Sequence, residues 1–199
     1  MNGEGYVKYH CIWDESPLEI PAPLLKSLNL WRKKLYDLSL IGVYENGIGY
    51  GNISIKNDEL TFFITGSATG RKELLHPDDY ALVKDWKFHK NQLTCSGKTK
   101  SSSESLTHAA IYESDSEIRS VVHVHSEKMW DKYLNRVPTS SAKVDYGTPE
   151  MAFEIKRLLA NKNNIEKGIV IMGGHKDGIL TFGRNLDEAG SSLLKYYSG

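Results

Sequence analysis

The stretch VVHVHS, residues 121–126, leaves the backbone little choice. Read at a period of two, it sends Val122 and Val124 to one side and His123 and His125 to the other, the pattern of a β-strand whose two faces have different occupants. One face is apolar, and the other presents two imidazoles side by side. Two neutral imidazoles so placed suit a divalent ion. An H-x-H pair on a strand is also consistent with a polar rim that binds nothing, so further ligands are needed before a metal centre is argued.

Around that strand the apolar spacing alternates between helical and extended. From Pro23, residues Leu24, Leu28, Trp31, Leu35 and Leu38 recur at three and four, which predicts an amphipathic helix with Gly42 as its C-cap. ISIK and LTFFIT, joined by the polar NDE, read as a hairpin. HPDDYALVKDW places Pro77 and two acids in a first helical turn, NQLTCSG is a short strand, and SSSESLTHAAIYES is a helix with a serine N-cap. IRSVVHVHS is a strand and SEKMWDKYLNR a helix. GTPEMAFEIKRLLANK begins with Thr148 as N-cap and Pro149 in the first helical position, GIVIMGG and GILTFG are strands, and NLDEAGSSLLKYY is a helix with Leu186, Ala189, Leu193 and Leu194 inward.

Helices and strands interleaved in this way, with several hairpin connections, predict an α/β fold. Its mixed, largely antiparallel central sheet is packed by helices on its faces. Residues 1–22 show no clear period and lead into PAP, so they are read as an arm ahead of one domain over residues 23–199.

The charge balance, 25 basic against 25 acidic residues, gives no electrostatic footprint for a polyanion. Neither nucleic acid nor a membrane surface is expected as a partner. The two cysteines, Cys11 and Cys95, are too few and too far apart in sequence to define a disulfide framework, which fits a reducing compartment, the cytosol by default. No apolar run approaches the ~20 residues that cross a bilayer, and the expectation is a soluble protein.

A third histidine meets the need for ligands. In IMGGHKDGILTFG, His175 ends an apolar strand after two glycines that permit close backbone approach, and a second strand returns after it. Three imidazoles at roughly 2 Å leave a coordination position open for water or substrate, as in catalytic rather than structural zinc sites. The competing account of His175 is a turn histidine bonded to its own backbone. His10, His76 and His89 fall in the arm, at a helix start and in a polar loop, and look less committed.

Glu104 stands in the first turn of the SSSESLTHAA helix, where unpaired N–H groups favour negative charge and a capping role suffices to explain it. Its neighbours Ser101, Ser102 and Ser103 add hydroxyls beside those N–H groups, which is how a helix start holds a phosphate. His108, one turn on, reads as a helix-surface residue. Asn52 in YGNIS, and Thr65, Ser67 and Thr69 in ITGSATG, belong to loops suited to hold an anion, although such loops usually only turn the chain.

Taken in order, GNIS, ITGSATG, SSES, HVH and GGHKDG resemble the class II aldolase/adducin family, in particular its fuculose-phosphate aldolase type, over roughly residues 24–197. The resemblance implies a three-layer α/β/α sandwich, often assembled as a homotetramer with sites near subunit contacts. It implies that His123, His125 and His175 bind Zn2+ or another divalent metal and that Glu104 is the catalytic carboxylate. Asn52, Ser102 and Ser103 match phosphate-binding positions. Counting back from KEL puts the loop's share on Ser67 and Ala68, where the family often has Thr-Gly; a second register uses Thr69 and Gly70.

The implied reaction is reversible C–C cleavage of a small phosphorylated sugar, yielding an aldehyde, through an enediolate stabilised by zinc with Glu104 as proton shuttle. A dehydratase of the methylthioribulose-phosphate type, or an epimerase, is implied equally well by the same ligands. Adducin-like heads, which are assembly modules without the metal ligands, are the alternative from another class. The segment between His125 and His175 is short for the family and leaves the sugar open. Tyr146, just ahead of GTPE, lies near a position where the family places aromatic groups, but a loop tyrosine is more often a packing residue.

Overall fold

The strand that carries both histidines sits inside an eight-stranded sheet, with neighbours on each side. The computed structural model describes residues 7–199. Its strands are β1 (His10–Asp14), β2 (Gly42–Val43), β3 (Gly49–Tyr50), β4 (Asn52–Lys56), β5 (Phe62–Thr65), β6 (Tyr80–Lys87), β7 (Gln92–Ser96), β8 (Ser120–His125), β9 (Ile169–Ile171) and β10 (Gly178–Gly183). The sheet order is β1-β7-β6-β5-β4-β8-β10-β9, while β2 and β3 form a separate ribbon. β1 and β7 run parallel and every other neighbouring pair is antiparallel.

Helices cover both faces. α1 (Ala22–Asp37), α3 (Glu127–Tyr133) and α6 (Leu186–Ser198) pack on one, and α2 (Ser105–Ser114) and α4 (Pro149–Leu159) on the other. α5 (Lys162–Lys167) is a short connection that no periodicity announced. The result is the expected three-layer α/β/α arrangement. No helix among the described residues is long and apolar enough to cross a membrane.

The period of two in β8 decides where the site goes. Val122 and Val124 enter the core under α1 and α6, while Val121 joins the core under α2 and α4. His123 and His125 follow Val121 on that second face, where the apolar packing gives out near the start of α2. Thr148 caps α4 by accepting from the Met151 N–H at 3.3 Å, and Pro149 opens the helix as expected.

Several expectations are corrected. Residues 80–87 form strand β6 rather than a helix, because Pro77 and its two acids complete only the 3-10 turn Pro77–Asp79. The Asp79 carboxylate accepts from the His76 N–H at 3.0 Å, and the chain then extends, sending Tyr80 and Leu82 to one core and Ala81 and Val83 to the other. Both faces of that run are apolar, so the alternation was invisible and the short apolar stretch looked helical. α1 ends at Asp37 with Ser39, not Gly42, in the left-handed conformation (φ 56°), and Gly42 belongs to β2. The serines do not occupy the N-cap of α2; Glu104 does.

His10–Asp14, inside the stretch set apart as an arm, is the edge strand β1, registered so that His10 faces Gln92 and Asp14 faces Ser96. Across that seam the free thiols of Cys11 and Cys95 lie 3.5 Å apart, despite their distance in sequence.

Candidate metal centre and substrate pocket

β8 supplies two imidazoles and the turn after β9 supplies the third. His123, His125 and His175 are all buried and place ligand nitrogens within 4.8 Å of one another. The Nε2 atoms of His123 and His125 are 3.1 Å apart. Bonds of ~2.05 Å at a tetrahedral angle separate two ligand nitrogens by roughly 3.3 Å, so the pair is spaced for one ion.

His175 reaches this point because Met172–His175 folds tightly onto the segment before α4. A Cβ on Gly173 would lie 2.2 Å from the Ser140 carbonyl oxygen, and one on Gly174 only 1.9 Å from that of Val144. The two glycines are therefore required by close approach, as their place in the sequence suggested. The His175 ring stands 5.3 Å from that of His123 and 4.6 Å from that of His125, centroid to centroid.

Burial holds all three imidazoles neutral. It pushes His123 down to about 3, with His175 nearby adding to the shift and the Ile179 carbonyl opposing it. It pushes His175 down to about 3, helped by Lys8 and opposed by Asp145. His125 is lowered well below its ordinary value by burial first and then by the other two histidines. Neutral imidazole is the metal-binding form.

Between the unfolded value of 6.5 and about 3, the unfolded chain takes up protons on His123 and His175 that the folded chain refuses. Stability of the metal-free protein is therefore expected to fall as pH drops below about 6.5. Thermal unfolding of chelator-treated protein between pH 7.5 and 4.5 checks this, and a melting temperature flat across that range would mean that the imidazoles already accept protons in the folded state.

Glu104 sits at the N-cap of α2, 2% exposed, with Oε1 3.9 Å from His175 Nδ1. Since His175 is neutral, that contact is no ion pair at neutral pH. Ser102 Oγ accepts from the Glu104 N–H at 3.3 Å, and Ser105 Oγ donates to the Ser102 carbonyl at 2.6 Å. The serine run thus shapes the turn that aims the carboxylate. One cavity of about 640 Å³ is lined by His123, His125, His175, Glu104, Asn52, Ser67, Ala68, Ser102 and Ser103, as well as Thr69, Gly70 and Tyr146, whereas Ser101, Thr65 and His108 do not line it.

The sequence model of the Class II Aldolase and Adducin N-terminal domain matches residues 45–194. The chain belongs to the class II aldolase and adducin family. Solved structures agree on the fold: L-fuculose-1-phosphate aldolase from Thermus thermophilus is 19% identical, over 89% of this chain and 91% of its own, with a TM-score of 0.64. A sugar-phosphate aldolase from Thermotoga maritima is 14% identical over 88% and 91%, with a TM-score of 0.66. The N-terminal class II aldolase domain of a Thermoplasma acidophilum protein is 15% identical over 94% of each chain, with a TM-score of 0.61. Among curated proteins none matches significantly.

In the Ser67–Gly70 loop Ala68 adopts φ 61°, a conformation that favours glycine. The Ser67 N–H donates to the Lys100 carbonyl at 2.8 Å, and the Thr69 hydroxyl donates to the Gly66 carbonyl at 2.8 Å. Both groups therefore hold the loop itself together. His108 is not on the helix surface: it is fully buried, with Nδ1 2.7 Å from the Ser54 hydroxyl, which in turn lies 2.6 Å from that of Tyr112.

Residues 7–9 contact the site without any sequence signal. Val7 lines it, and the Tyr9 hydroxyl lies 2.6 Å from Ser101 Oγ and within 3.1 Å of the Ser101 and Ser102 carbonyls. Lys8 donates to the Tyr146 carbonyl at 3.0 Å and sits 3.5 Å over the Tyr146 ring, which stacks on His175 at 4.2 Å. The stretch read as an arm thus touches both ends of the site through contacts that local pattern cannot encode. Arg71 and Lys100 also line the cavity and add positive charge.

Proposed function

We propose that this class II aldolase family member is a metal-dependent lyase that reversibly cleaves a C–C bond in a small phosphorylated sugar. The observation that carries the proposal is the joining, in one cavity, of three neutral buried imidazoles with a serine-lined helix start, the two ends linked by Glu104. Structural neighbours named as fuculose-phosphate and sugar-phosphate aldolases support the substrate class.

His123, His125 and His175 fit a divalent ion by donor type, protonation and spacing, and zinc is the metal proposed. Once bound, such an ion supplies Lewis acidity to the oxygens of a carbonyl substrate and leaves a coordination position for them. Asn52, Ser102 and Ser103, with the helix start of α2, fix the phosphate and so set which carbon faces Glu104. The Glu104 carboxylate takes up the hydroxyl proton released as the C–C bond breaks and the aldehyde forms, and gives it to the carbon that the aldehyde leaves; the reverse direction runs the same transfers backwards. At 2% exposure the Glu104 carboxylate itself is largely withdrawn from bulk water.

Expulsion of water or epimerisation would draw on the same groups, the outcome being set by which bond lies perpendicular to the carbonyl plane. Product analysis decides between them. The test is elemental analysis of the purified protein followed by incubation with ketose 1-phosphates such as fuculose 1-phosphate. About one divalent ion per chain and chelator-sensitive release of aldehyde with dihydroxyacetone phosphate is the expected result. Protein that takes up no metal after incubation with zinc, and releases nothing, would favour the assembly-module alternative.

A further inference from the structure

The β2–β3 ribbon lies outside the main sheet, and its placement has a use beyond walling the cavity. Its connection is fixed from within: the Tyr44 N–H donates to the Ile48 carbonyl and the Gly47 N–H to the Tyr44 carbonyl, each at 2.8 Å. Gly47 makes the turn at φ 85°, where a Cβ would meet Arg71 Nη2 at 2.8 Å. The Tyr44 ring packs on Tyr50 at 4.5 Å between centroids, and the Tyr50 hydroxyl donates to the Ser39 carbonyl at 3.2 Å. Tyr44 is thereby held by its backbone and by one face of its ring. Its hydroxyl ends 2.6 Å from His125 Nδ1.

We propose that Tyr44 is a positioning residue for the metal, accepting the Nδ1 proton of His125 so that His125 Nε2 is presented to the ion. This rests on the metal-centre reading above. An imidazole that ligates through one nitrogen carries its proton on the other, and the partner of that proton fixes both tautomer and ring orientation. In His125 the nitrogen facing the triad is Nε2, 3.1 Å from its counterpart in His123, so the nitrogen facing Tyr44 bears the proton. His123 meets the same requirement through the main chain, its Nδ1 donating to the Ile179 carbonyl at 3.1 Å. The two ligands on one strand are thus oriented by different means, one from the neighbouring β10 and one from the ribbon.

The choice of a phenol has a chemical consequence. As a neutral acceptor, Tyr44 fixes the ring without adding negative charge, so the ion keeps its full Lewis acidity toward a carbonyl oxygen. Tyr44 also lies just before the first residue of the family match, at 45. Val43 and Tyr50 of the same ribbon line the cavity, so one small element sets both a wall for substrate and the orientation of a ligand.

The experiment is zinc binding to chelator-stripped protein, measured by competition with a chromophoric chelator and accompanied by the visible spectrum of the cobalt-loaded form. Tyr44→Phe keeps the ring on Tyr50 and removes only the hydroxyl; it is expected to weaken zinc binding by roughly 10- to 100-fold and to alter the cobalt bands. Tyr50→Phe, which removes the other hydroxyl of the aromatic pair, is expected to bind zinc like the wild type. Equal zinc affinity in wild type and Tyr44→Phe overturns the proposal. If metal-free Tyr44→Phe melts lower, equal losses of zinc affinity in the two variants overturn it, and a loss confined to Tyr44→Phe sustains it. Wild-type protein that binds no zinc overturns the metal-centre reading instead, so the two failures are distinguishable.

Discussion

Glu104→Gln is expected to keep its full complement of metal and to lose turnover by roughly 10²- to 10⁴-fold, the usual contribution of a positioned acid–base group. The substitution is nearly isosteric and removes only the ability to exchange a proton. The side chain makes no cap hydrogen bond to the helix that follows it, so the substitution leaves the hydrogen bonds of α2 intact. Its Oε1 is 3.9 Å from His175 Nδ1, beyond hydrogen-bond reach and not a contact that sets the imidazole's place. Zinc content by elemental analysis and release of aldehyde from the ketose phosphate are measured on the same preparation. Full turnover in a metal-replete variant removes Glu104 from the mechanism, whereas loss of metal together with activity makes it a ligand in place of a proton shuttle.

What could be read from the sequence was whatever a short segment determines by itself. VVHVHS has one solution as a strand, and that solution put His123 and His125 on one face before any fold was known. The two glycines before His175 signalled close approach, and the carbonyls of Ser140 and Val144 are what they approach. The segment YALV failed because both its faces are buried, so the alternation that marks a half-buried strand was absent. His108 failed for a related reason: in α2, which is buried from Ser105 through Tyr112, periodicity no longer distinguishes outside from inside.

Tyr44 and Tyr9 were invisible on different grounds. Each acts through a hydrogen bond to a residue at least 81 positions away, His125 in one case and Ser101 in the other. Nothing in the residues beside a tyrosine reports such a partner. His123 and His125 lie on a strand whose own pattern fixes them, whereas the groups hydrogen-bonded to their rings are fixed only once the sheet and ribbon have assembled.

His123→Ala is expected to abolish stoichiometric zinc while leaving the protein folded. The strand survives because β8 is hydrogen-bonded on both sides, with His123 facing Asn52 on β4 and Leu180 on β10, and because Val122 and Val124 keep their core on the opposite face. The ion does not survive, since two imidazoles and solvent in place of the third cannot hold it at comparable affinity. The informative control is His108→Ala, which removes another fully buried histidine from the same side of the sheet. His108 is tied to Ser54 rather than to the triad, so its loss removes one of the two hydrogen bonds of the Ser54 hydroxyl, which keeps Tyr112, and leaves a cavity where a buried imidazole stood; the cost is about 1–3 kcal/mol of stability, seen as a lower melting temperature, with zinc content unchanged. The two variants therefore separate along different axes: one loses metal and keeps its fold, the other keeps metal and loses stability. Zinc retained in His123→Ala would place the ion away from the HVH strand, and the proposed chemistry, which depends on the distance from that strand to Glu104, would go with it.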